Sequence, residues 1–289
     1  MLYRSLLVWL GLVCSLCMPV SVQADGAVWK VSKGSDYFYL GGSAHLLPQS
    51  DFPLPKPYET AFADTDVLVL ETELPKTPAA QQAFIDSMKY ADGRTLRTVL
   101  SADMYQQLEA YLAENGVALA DMKRFTPGFI LMLATQIESQ KAGINGAGVD
   151  AYFQQRAEQG HKPIWFLEAL EYQARVLAEL GEDDENAFIE GLLEEAPQAK
   201  ELLTDTIAAW RSGDLDKIET VVLQPMIEDD PDSYQALFVQ RNHNWLRKLV
   251  GYFRNAQREF VLVGAGHLVG DEGLIELLEQ QGYRLQRVN

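Results

Sequence analysis

Two histidines in this sequence end the same short motif, and each motif follows an apolar run. The motif GSAH occupies residues 42–45 after DYFYLG, and GAGH occupies residues 264–267 after REFVLV. Neutral imidazole binds zinc, manganese, cobalt and iron, and it also acts as a base near neutral pH. Because glycine lets the backbone turn without a side-chain clash, we expect each motif to bring its histidine to a strand end. The matched contexts of the two motifs favour one shared site containing His45 and His267.

A carboxylate is available for the same site in the segment LVLETEL. Strand alternation puts Glu71 and Glu73 on one face, and Glu71 is preferred because it directly ends the apolar run. Two histidines, one carboxylate and a position for water form the arrangement with which metal-dependent hydrolases make hydroxide near pH 7. The glutamate could instead be a general base without metal, or a surface residue at a strand end.

Further polar residues offer weaker indications. Arg241 and Asn242 lie in the helical pattern ALFVQRNHNWLRKLV, where they could donate to a developing oxyanion or form a surface salt bridge. Glu168 ends another apolar run, and it is either a partner of the metal ligands or part of a structural group with Asp150 and Gln173. The two remaining histidines are expected to be exposed, in a turn and on a helix surface respectively: His161 and His243.

The elements that must position these residues follow from the hydrophobic pattern. Short apolar runs, often rich in β-branched or aromatic residues, predict strands within residues 27–33, 36–45, 65–73, 162–169, 258–267 and 282–288. Helical spacing occurs at residues 78–90, 102–116, 127–140, 149–160 and 274–282, and through almost all of 170–255. This order predicts an α/β fold with a central mixed, mostly parallel β-sheet flanked by helices, and with a large helical insertion between the later strands.

The same topology explains why the polar residues should meet. Right-handed crossovers put the carboxyl ends of successive parallel strands on one edge, and ligands of open α/β sheets bind beyond that edge. We therefore expect His45, Glu71 (or Glu73), Glu168 and His267 to lie at one edge of the sheet. A metal site would be excluded if the two imidazoles were more than about 10 Å apart, since ligand bonds are near 2 Å.

The first 24 residues have the features of a secretory signal peptide, with Arg4 before an apolar run and cleavage expected after Ala24. The rest, residues 25–289, is expected to form a single α/β domain, periplasmic or secreted and without a membrane anchor, because no stretch approaches the roughly 20 apolar residues of a spanning helix. Both cysteines, Cys14 and Cys17, lie in the leader. Disulfides, thiolate metal sites and cysteine nucleophiles are therefore excluded from the mature chain.

The charge and the missing motifs exclude other classes. A formal net charge of −17 repels phosphates and anionic lipids, so nucleic acid and membrane surfaces are not expected partners. The sequence contains neither H-E-x-x-H nor G-x-S-x-G, so neither a thermolysin-like zinc helix nor a serine nucleophile is supported. The glycines around residue 264 lack the context of a dinucleotide-binding motif.

These segments resemble the TraB/GumN family, which is similar to the Tiki metalloproteases and more distantly to the erythromycin esterase and ChaN-like fold. The resemblance spans nearly the whole mature chain. It is carried by the segments WKVSKGSDYFYLGGSAHLLP, TDVLVLETEL, GVDAYFQQRAEQGHKPIWFLEALEYQ, QRNHNWLRKL and FVLVGAGHLVGDEGLIELLEQQGYRL.

The resemblance implies a role for the matched residues. His45 and His267 correspond to the paired histidines of the family, Glu71 to the glutamate after the second strand, and Arg241 with Asn242 to a helical pair lining the same cleft. Relatives commonly have G-T-x-H at the first motif, where this chain has Ser43 and keeps the hydroxyl. In Tiki relatives such residues are linked to metal-dependent peptide cleavage, and in TraB-type relatives to reduced activity of peptide pheromones.

The sequence thus predicts an exported metal-dependent hydrolase, peptidase-like, that acts on a peptide or protein substrate. His45, Glu71 and His267 are the predicted ligands of a divalent cation (manganese, cobalt or zinc), and Glu71, Arg241 and Asn242 the predicted catalytic residues. One alternative is a non-catalytic protein that binds a peptide or partner in the same cleft. The other is a metal-free hydrolase that uses histidine and glutamate as acid and base. The metal, the substrate and the oligomeric state stay open at this stage.

Overall fold

The computed structural model describes residues 26–289, so the predicted signal peptide at residues 1–24 lies outside the described part. The strands are β1 (Val28–Lys33), β2 (Asp36–Ser43), β3 (Leu46–Leu47), β4 (Val67–Leu70), β5 (Gly146–Ala147), β6 (Ile164–Phe166), β7 (Glu259–Gly264) and β8 (Arg284–Arg287). Six of them form one sheet in the order β6-β4-β7-β2-β1-β8. The other two, β3 and β5, pair with each other in a separate antiparallel ladder.

The six-stranded sheet is mixed and mostly parallel, as the sequence predicted. The strands β6, β4, β7 and β2 are parallel neighbours, and β1 is antiparallel to both β2 and β8. The turn between β1 and β2 contains Gly34 at a φ of 66°, a conformation that favours glycine. All four residues of β4 are buried, which is typical of a strand covered by helices on both faces.

Helices flank the sheet and fill its connections. They are α1 (Lys56–Ala63), α2 (Pro78–Ser87), α3 (Leu96–Val99), α4 (Ala102–Glu114), α5 (Leu119–Met122), α6 (Pro127–Lys141), α7 (Val149–Gln159), α8 (Leu170–Ala178), α9 (Glu185–Glu195), α10 (Ala199–Ser212), α11 (Leu215–Ile218), α12 (Gln224–Asp229), α13 (Pro231–Tyr234), α14 (Gln240–Tyr252) and α15 (Leu274–Gln280). The predicted helical insertion is α8–α14, between β6 and β7. Two π-helical turns interrupt it, at Glu219–Leu223 and Gln235–Val239.

The apolar core has a main part and satellites. The main cluster includes the buried side chains of the large sheet, the helices packed on it, and large residues such as Trp210 and Trp245. A second cluster joins α3–α6 to α9 around Leu108 and Ile130. Along residues 26–289, no helix is both long enough and apolar enough to cross a bilayer.

Candidate functional site

Three polar side chains follow three neighbouring strands at the carboxyl edge of the large sheet. Glu71 comes directly after β4, His267 lies in a 3-10 turn after β7, and His45 follows β2 by two residues. Because β4, β7 and β2 are adjacent and parallel, these positions share one edge of the sheet. The sequence prediction that they would lie together agrees with this placement.

The three side chains converge on the α-carbon of Gly264. A Cβ atom added there would stand 3.4 Å from Glu71 Oε1, 3.5 Å from His267 Cδ2 and 3.7 Å from His45 Nε2. Glycine at this position therefore leaves open the space that a larger residue would fill, between two imidazoles and a carboxylate. Because both imidazoles lie within 3.7 Å of this one point, they are closer together than the distance of about 10 Å that would exclude a shared ion.

Glu71 is buried and held by several donors. Its Oε1 accepts from the Gly264 N–H at 2.6 Å, and its Oε2 accepts from Arg241 Nη2 at 2.6 Å and Gln173 Nε2 at 3.1 Å. Burial alone would raise the pKa of Glu71, but the positive charge of Arg241 outweighs it and lowers the pKa to about 2. Glu71 is therefore a carboxylate at neutral pH.

The other glutamate of the same strand end lies elsewhere. Glu73 is exposed, with a carboxylate oxygen 3.6 Å from Lys76 Nζ. An exposed pair of this kind contributes little to stability. Strand alternation could not distinguish Glu71 from Glu73. In the structure Glu71 lies at the space beside Gly264, whereas Glu73 is on the surface.

His267 lies almost entirely inside the protein. Its Nδ1 is 2.7 Å from Asn242 Oδ1, and its ring packs on Phe238 and Trp245 with centroid distances of 4.8 and 4.4 Å. Its Nε2 is 3.2 Å from Arg241 Nη1. Burial, reinforced by the Arg241 charge, lowers the pKa of His267 to about 3, so the ring is neutral.

Asn242 determines which nitrogen of that neutral ring carries the proton. The Asn242 amide nitrogen donates to the backbone oxygens of Glu272 at 2.8 Å and His267 at 3.3 Å. Its Oδ1 must therefore accept from His267 Nδ1–H. The lone pair of His267 is left on Nε2, which faces the site.

Arg241 is the centre of the buried part of the site. Its Nε donates to Glu168 at 3.1 Å, Nη1 to the Leu237 carbonyl at 3.0 Å and to His267 Nε2, and Nη2 to Glu71 and, at 2.8 Å, to Glu168. A guanidinium has five N–H groups, and every one has an acceptor here. The π-helical turn before α14 contributes the Leu237 carbonyl, consistent with the frequent occurrence of such turns at functional sites.

This arrangement bears on the predicted oxyanion role. Both N–H groups of the Asn242 amide and all five of Arg241 are already used within the protein. A substrate oxyanion would have to replace one of those acceptors. The oxyanion role stays a prediction, and the contacts described above instead hold Glu71 and His267 in place.

The structure separates three residues that the sequence had grouped only loosely. Glu168 pairs with Arg241 and also accepts from Trp245 Nε1 at 2.9 Å. Gln173 donates to Glu71, whereas Asp150 lies against the other histidine. The sequence therefore identified the three residues, but it did not predict that each has a different partner. The hydrogen bond from Trp245 to Glu168 gives no signal in the spacing of apolar residues, so the sequence does not indicate it.

His45 is the exposed member of the site. Its side chain is 63% exposed, and its Nδ1 lies 3.2 Å from Asp150 Oδ1, which also accepts from Ser43 Oγ at 2.9 Å. The Asp150 carboxylate raises the pKa of His45 to about 9. The side chains of His161 and His243 are also exposed, in a turn and on the surface of α14, as the sequence predicted.

The glycines of the two motifs act by a different means from the one predicted. Neither Gly42 nor Gly264 is among the glycines with positive φ. A Cβ on Gly42 would come within 2.9 Å of Leu268 Cδ1, so this glycine is required by close packing, whereas Gly264 opens the site. The motifs are also offset, because Ser43 rather than Gly42 pairs with Gly264 in the register of β2 and β7.

A divalent cation fits the donor types but not the side-chain positions. His267 presents an unprotonated Nε2 3.9 Å from Glu71 Oε1, and His45 Nε2 borders the same space. However, Arg241 donates to the same His267 nitrogen. Within residues 26–289 no group of three or more histidine, aspartate or glutamate side chains is arranged to hold an ion. Arg241 would have to move away from His267 for all three donors to reach one ion.

The fold and the site define an α/β protein with paired histidine motifs at one sheet edge. A sequence model of the TraB/PrgY/gumN family matches residues 27–287, and the chain belongs to this family. The protein YbaP of Escherichia coli is 25% identical over 248 residues, which covers 85% of this chain and 89% of YbaP.

Two animal proteins named metalloprotease TIKI2 are also similar. The TIKI2 of Danio rerio is 22% identical over 93% of this chain, and that of Xenopus tropicalis is 24% identical over 86%. The aligned regions make up 62% and 57% of those proteins, so the chain spans less than two thirds of either. No match was found among solved structures.

Proposed function

We propose that this protein is an exported hydrolase of peptide bonds that requires a divalent cation held by His45, Glu71 and His267. The observation that supports this most is the convergence of those three side chains, from three neighbouring strand ends, on the open space at Gly264. The names of the TIKI2 relatives favour a peptide or protein substrate. Export is proposed from the signal-peptide features of residues 1–24, and sequencing the N-terminus of the mature protein tests it.

The chain's own residues prepare this site in distinct ways. Asn242 holds the His267 ring with Nε2 free of a proton, and the Gly264 N–H and Arg241 keep Glu71 ionised. A carboxylate and a neutral imidazole are the forms of these side chains that bind a cation, so His45, whose pKa is raised by Asp150, would have to release a proton to become a ligand. The bound cation would supply a Lewis acid for the substrate carbonyl and a water of lowered pKa.

Arg241 is proposed to keep the site intact when no ion is bound. Two carboxylates and an imidazole without a cation would leave buried negative charge uncompensated. The guanidinium supplies that compensation through Glu71 and Glu168. A cation held by His45, Glu71 and His267 would supply part of this compensating charge, and Arg241 would keep its pair with Glu168.

The test combines metal binding with peptide cleavage. Untagged protein, purified without chelator, is assayed for bound metal and then titrated with manganese, cobalt or zinc, and a peptide library is digested with each ion. We expect cleavage that depends on one of the ions and is lost in His45→Ala. His161→Asn is the matched control, because this histidine is exposed in a turn and asparagine tolerates its φ of 54°. If no ion binds to the native protein, the metal-dependent proposal is wrong.

A second candidate function is favoured by one specific contact. Because Arg241 already donates to His267 Nε2, and Asp150 lies beside the exposed His45, the site also suits acid and base catalysis without metal. Exhaustive chelation separates the two functions, since only the metal-free hydrolase would keep its activity. A binding protein without turnover would show affinity for peptides that survives replacement of both His45 and His267 by alanine.

A further inference from the structure

Asp150 occupies the first turn of α7 and reaches back to the strand end that carries His45. Its Oδ1 lies 3.2 Å from His45 Nδ1 and accepts from Ser43 Oγ at 2.9 Å. The Asp150 side chain is only 16% exposed, whereas that of His45 is 63% exposed. A mostly buried carboxylate, fixed by a buried serine, therefore meets a histidine that extends into solvent.

The His45 ring has few other contacts that would fix its direction. In the described chain, no residue other than Asp150 forms a hydrogen bond with this ring. An exposed side chain retains rotamer freedom unless a specific contact removes it. With Nδ1 against Asp150, the other nitrogen, Nε2, faces the open space at Gly264.

The main chain holds the same two segments together. Val149 N–H donates to the Ala44 carbonyl at 3.0 Å, and the β3–β5 ladder pairs the residues after His45 with those before Gly148. A Cβ on Gly148 would be 2.4 Å from the His45 carbonyl oxygen, so no larger residue fits without a shift. The segments 44–47 and 146–150 are thus fixed to each other by backbone contacts, and Asp150 acts on the side chain that these contacts leave free.

We propose that Asp150 is a positioning residue, which holds the His45 ring so that Nε2 is presented to the space between Glu71 and His267. Carboxylates that accept from the outer nitrogen of a histidine are a recurring means of fixing its tautomer and orientation. The inference rests on the proposed function for its effect on ion binding. Its effect on the ring itself does not depend on what the site binds.

A purely structural role for Asp150 makes a different prediction. An aspartate in the first turn of a helix stabilises that helix through the macrodipole whatever its side chain contacts. Asp103 is the matched control, because it is the second residue of α4 as Asp150 is of α7, and its Oδ2 accepts from the nearby Gln107 side chain instead of contacting a histidine. Asp150→Ala and Asp103→Ala remove the same helix charge, but only the first removes a contact with His45.

The first measurement is made on chelator-treated protein. The proton spectrum in water at low temperature is recorded for the wild type, Asp150→Ala and Asp103→Ala, and the His45 Nδ1–H signal is assigned by its loss in His45→Gln. We expect a downfield signal in the wild type and in Asp103→Ala, and none in Asp150→Ala. Asp150→Asn should restore it in weakened form, because the amide oxygen still accepts. An absent signal in the wild type, or one that persists in Asp150→Ala, would overturn the inference.

The second measurement is a cobalt titration of the same variants. We expect Asp150→Ala to weaken cobalt binding about 10- to 100-fold, and Asp103→Ala to leave it unchanged. Equal affinity in wild type and Asp150→Ala would also overturn the inference. If the wild type binds no cobalt but shows the Nδ1–H signal, the proposed function fails while the role of Asp150 stands.

Discussion

His45 and His267 end the same four-residue motif beside neighbouring strands, and their surroundings are opposite. His267 is buried beneath α14, bonded to Asn242 and Arg241, and its pKa is lowered to about 3. His45 is exposed, bonded to Asp150, and its pKa is raised to about 9. The motif brings each histidine to the sheet edge, and the elements that cover the edge determine its charge.

The comparison divides the site into a buried half and an exposed half. The buried half consists of His267, Asn242, Arg241, Glu71 and Glu168, and the exposed half of His45, Asp150 and Ser43. In the buried half each polar group depends on its partners for stability, because water cannot replace them. At His45, which is exposed, water can replace a lost partner, so a substitution of this histidine changes the geometry of the site more than the stability of the fold.

The largest expected effect comes from removing the charge at the centre of the buried half. Arg241→Met leaves Glu71 and Glu168 without their cation, and we expect the free energy of unfolding to fall by about 3–5 kcal/mol, measured by urea denaturation. Arg247→Met on the exposed face of the same helix should stay within about 0.5 kcal/mol of the wild type. Adding Glu71→Gln and Glu168→Gln to Arg241→Met should recover part of the loss. If Arg241→Met were as stable as Arg247→Met, the ion pairs of Arg241 with Glu71 and Glu168 would not be what stabilises the buried half.

The next effect concerns the partner of His267. Asn242→Ala leaves the His267 Nδ1–H and the Glu272 carbonyl without a partner, and we expect a loss of about 1–3 kcal/mol in the same denaturation experiment. Asn244→Ala is the control, since Asn244 is exposed on the same helix and accepts from the exposed Arg247. Equal stabilities of the two variants would contradict the assigned role of Asn242.

The two motif glycines allow the comparison to be sharpened. Gly42→Ala brings a Cβ within 2.9 Å of Leu268 and 3.1 Å of Ala27, so we expect a loss of about 1–3 kcal/mol from overpacking. Gly264→Ala meets its neighbours only at 3.4 Å or more, which is ordinary contact, and should cost less than about 1 kcal/mol. Gly264→Ala should instead weaken cobalt binding, because its methyl group fills the space between the proposed ligands. Both variants are measured by urea denaturation and cobalt titration. A larger loss of stability in Gly264→Ala than in Gly42→Ala, or unchanged cobalt binding in Gly264→Ala, would contradict the roles given to these glycines.

The smallest effect is the dependence of stability on pH between about pH 5.5 and 9, measured on chelator-treated protein. The folded pKa of His267 lies below its unfolded value, so the unfolded state takes up the proton first as the pH falls. Stability from this group is complete above about pH 6.5 and falls towards pH 3, by at most about 1.4 kcal/mol per pH unit. His45 acts in the opposite sense, because its folded pKa is raised. Its contribution is complete below about pH 6.5 and is lost as the pH rises towards 9.

Urea denaturation at about pH 5.5, 7.5 and 9 of the wild type, His267→Asn and His45→Gln tests both slopes. His267→Asn should flatten the acid side, and His45→Gln should flatten the smaller alkaline side. An unchanged acid slope in His267→Asn would mean that His267 is not held neutral by burial.

Much of the fold could be predicted because the signals were local. Runs of consecutive apolar residues predicted β2, β4, β6 and β7, and the order of strands and helices predicted the parallel arrangement. The short ladder of β3 and β5 was missed, because two residues per strand give no periodicity and the pairing depends on backbone hydrogen bonds. The helix α1 was also missed, in a segment where Pro53, Pro55 and Pro57 obscure the helical pattern.

The meeting of the site's side chains could be predicted because parallel strands share an edge. The partners of each side chain could not be, since they belong to elements far away in sequence. Nothing local to Arg241 indicates that it contacts Glu71 and Glu168, and nothing local to His45 selects Asp150 over other acidic residues. The metal-binding roles and the catalytic roles stay predictions.

The order of strands in the sheet affects when His45, Glu71 and His267 come together during folding. The strand β7 pairs with β2 and β4, so it joins residues from the start of the domain to residues near its end. Contacts between segments so far apart in sequence form slowly, because the entropy of closing a long loop is lost before the contacts can stabilise the chain. During synthesis from the N-terminus, His45 and Glu71 emerge early and remain without their third partner until the last strands have been made. The cluster of His45, Glu71 and His267 is therefore complete only once folding is nearly finished.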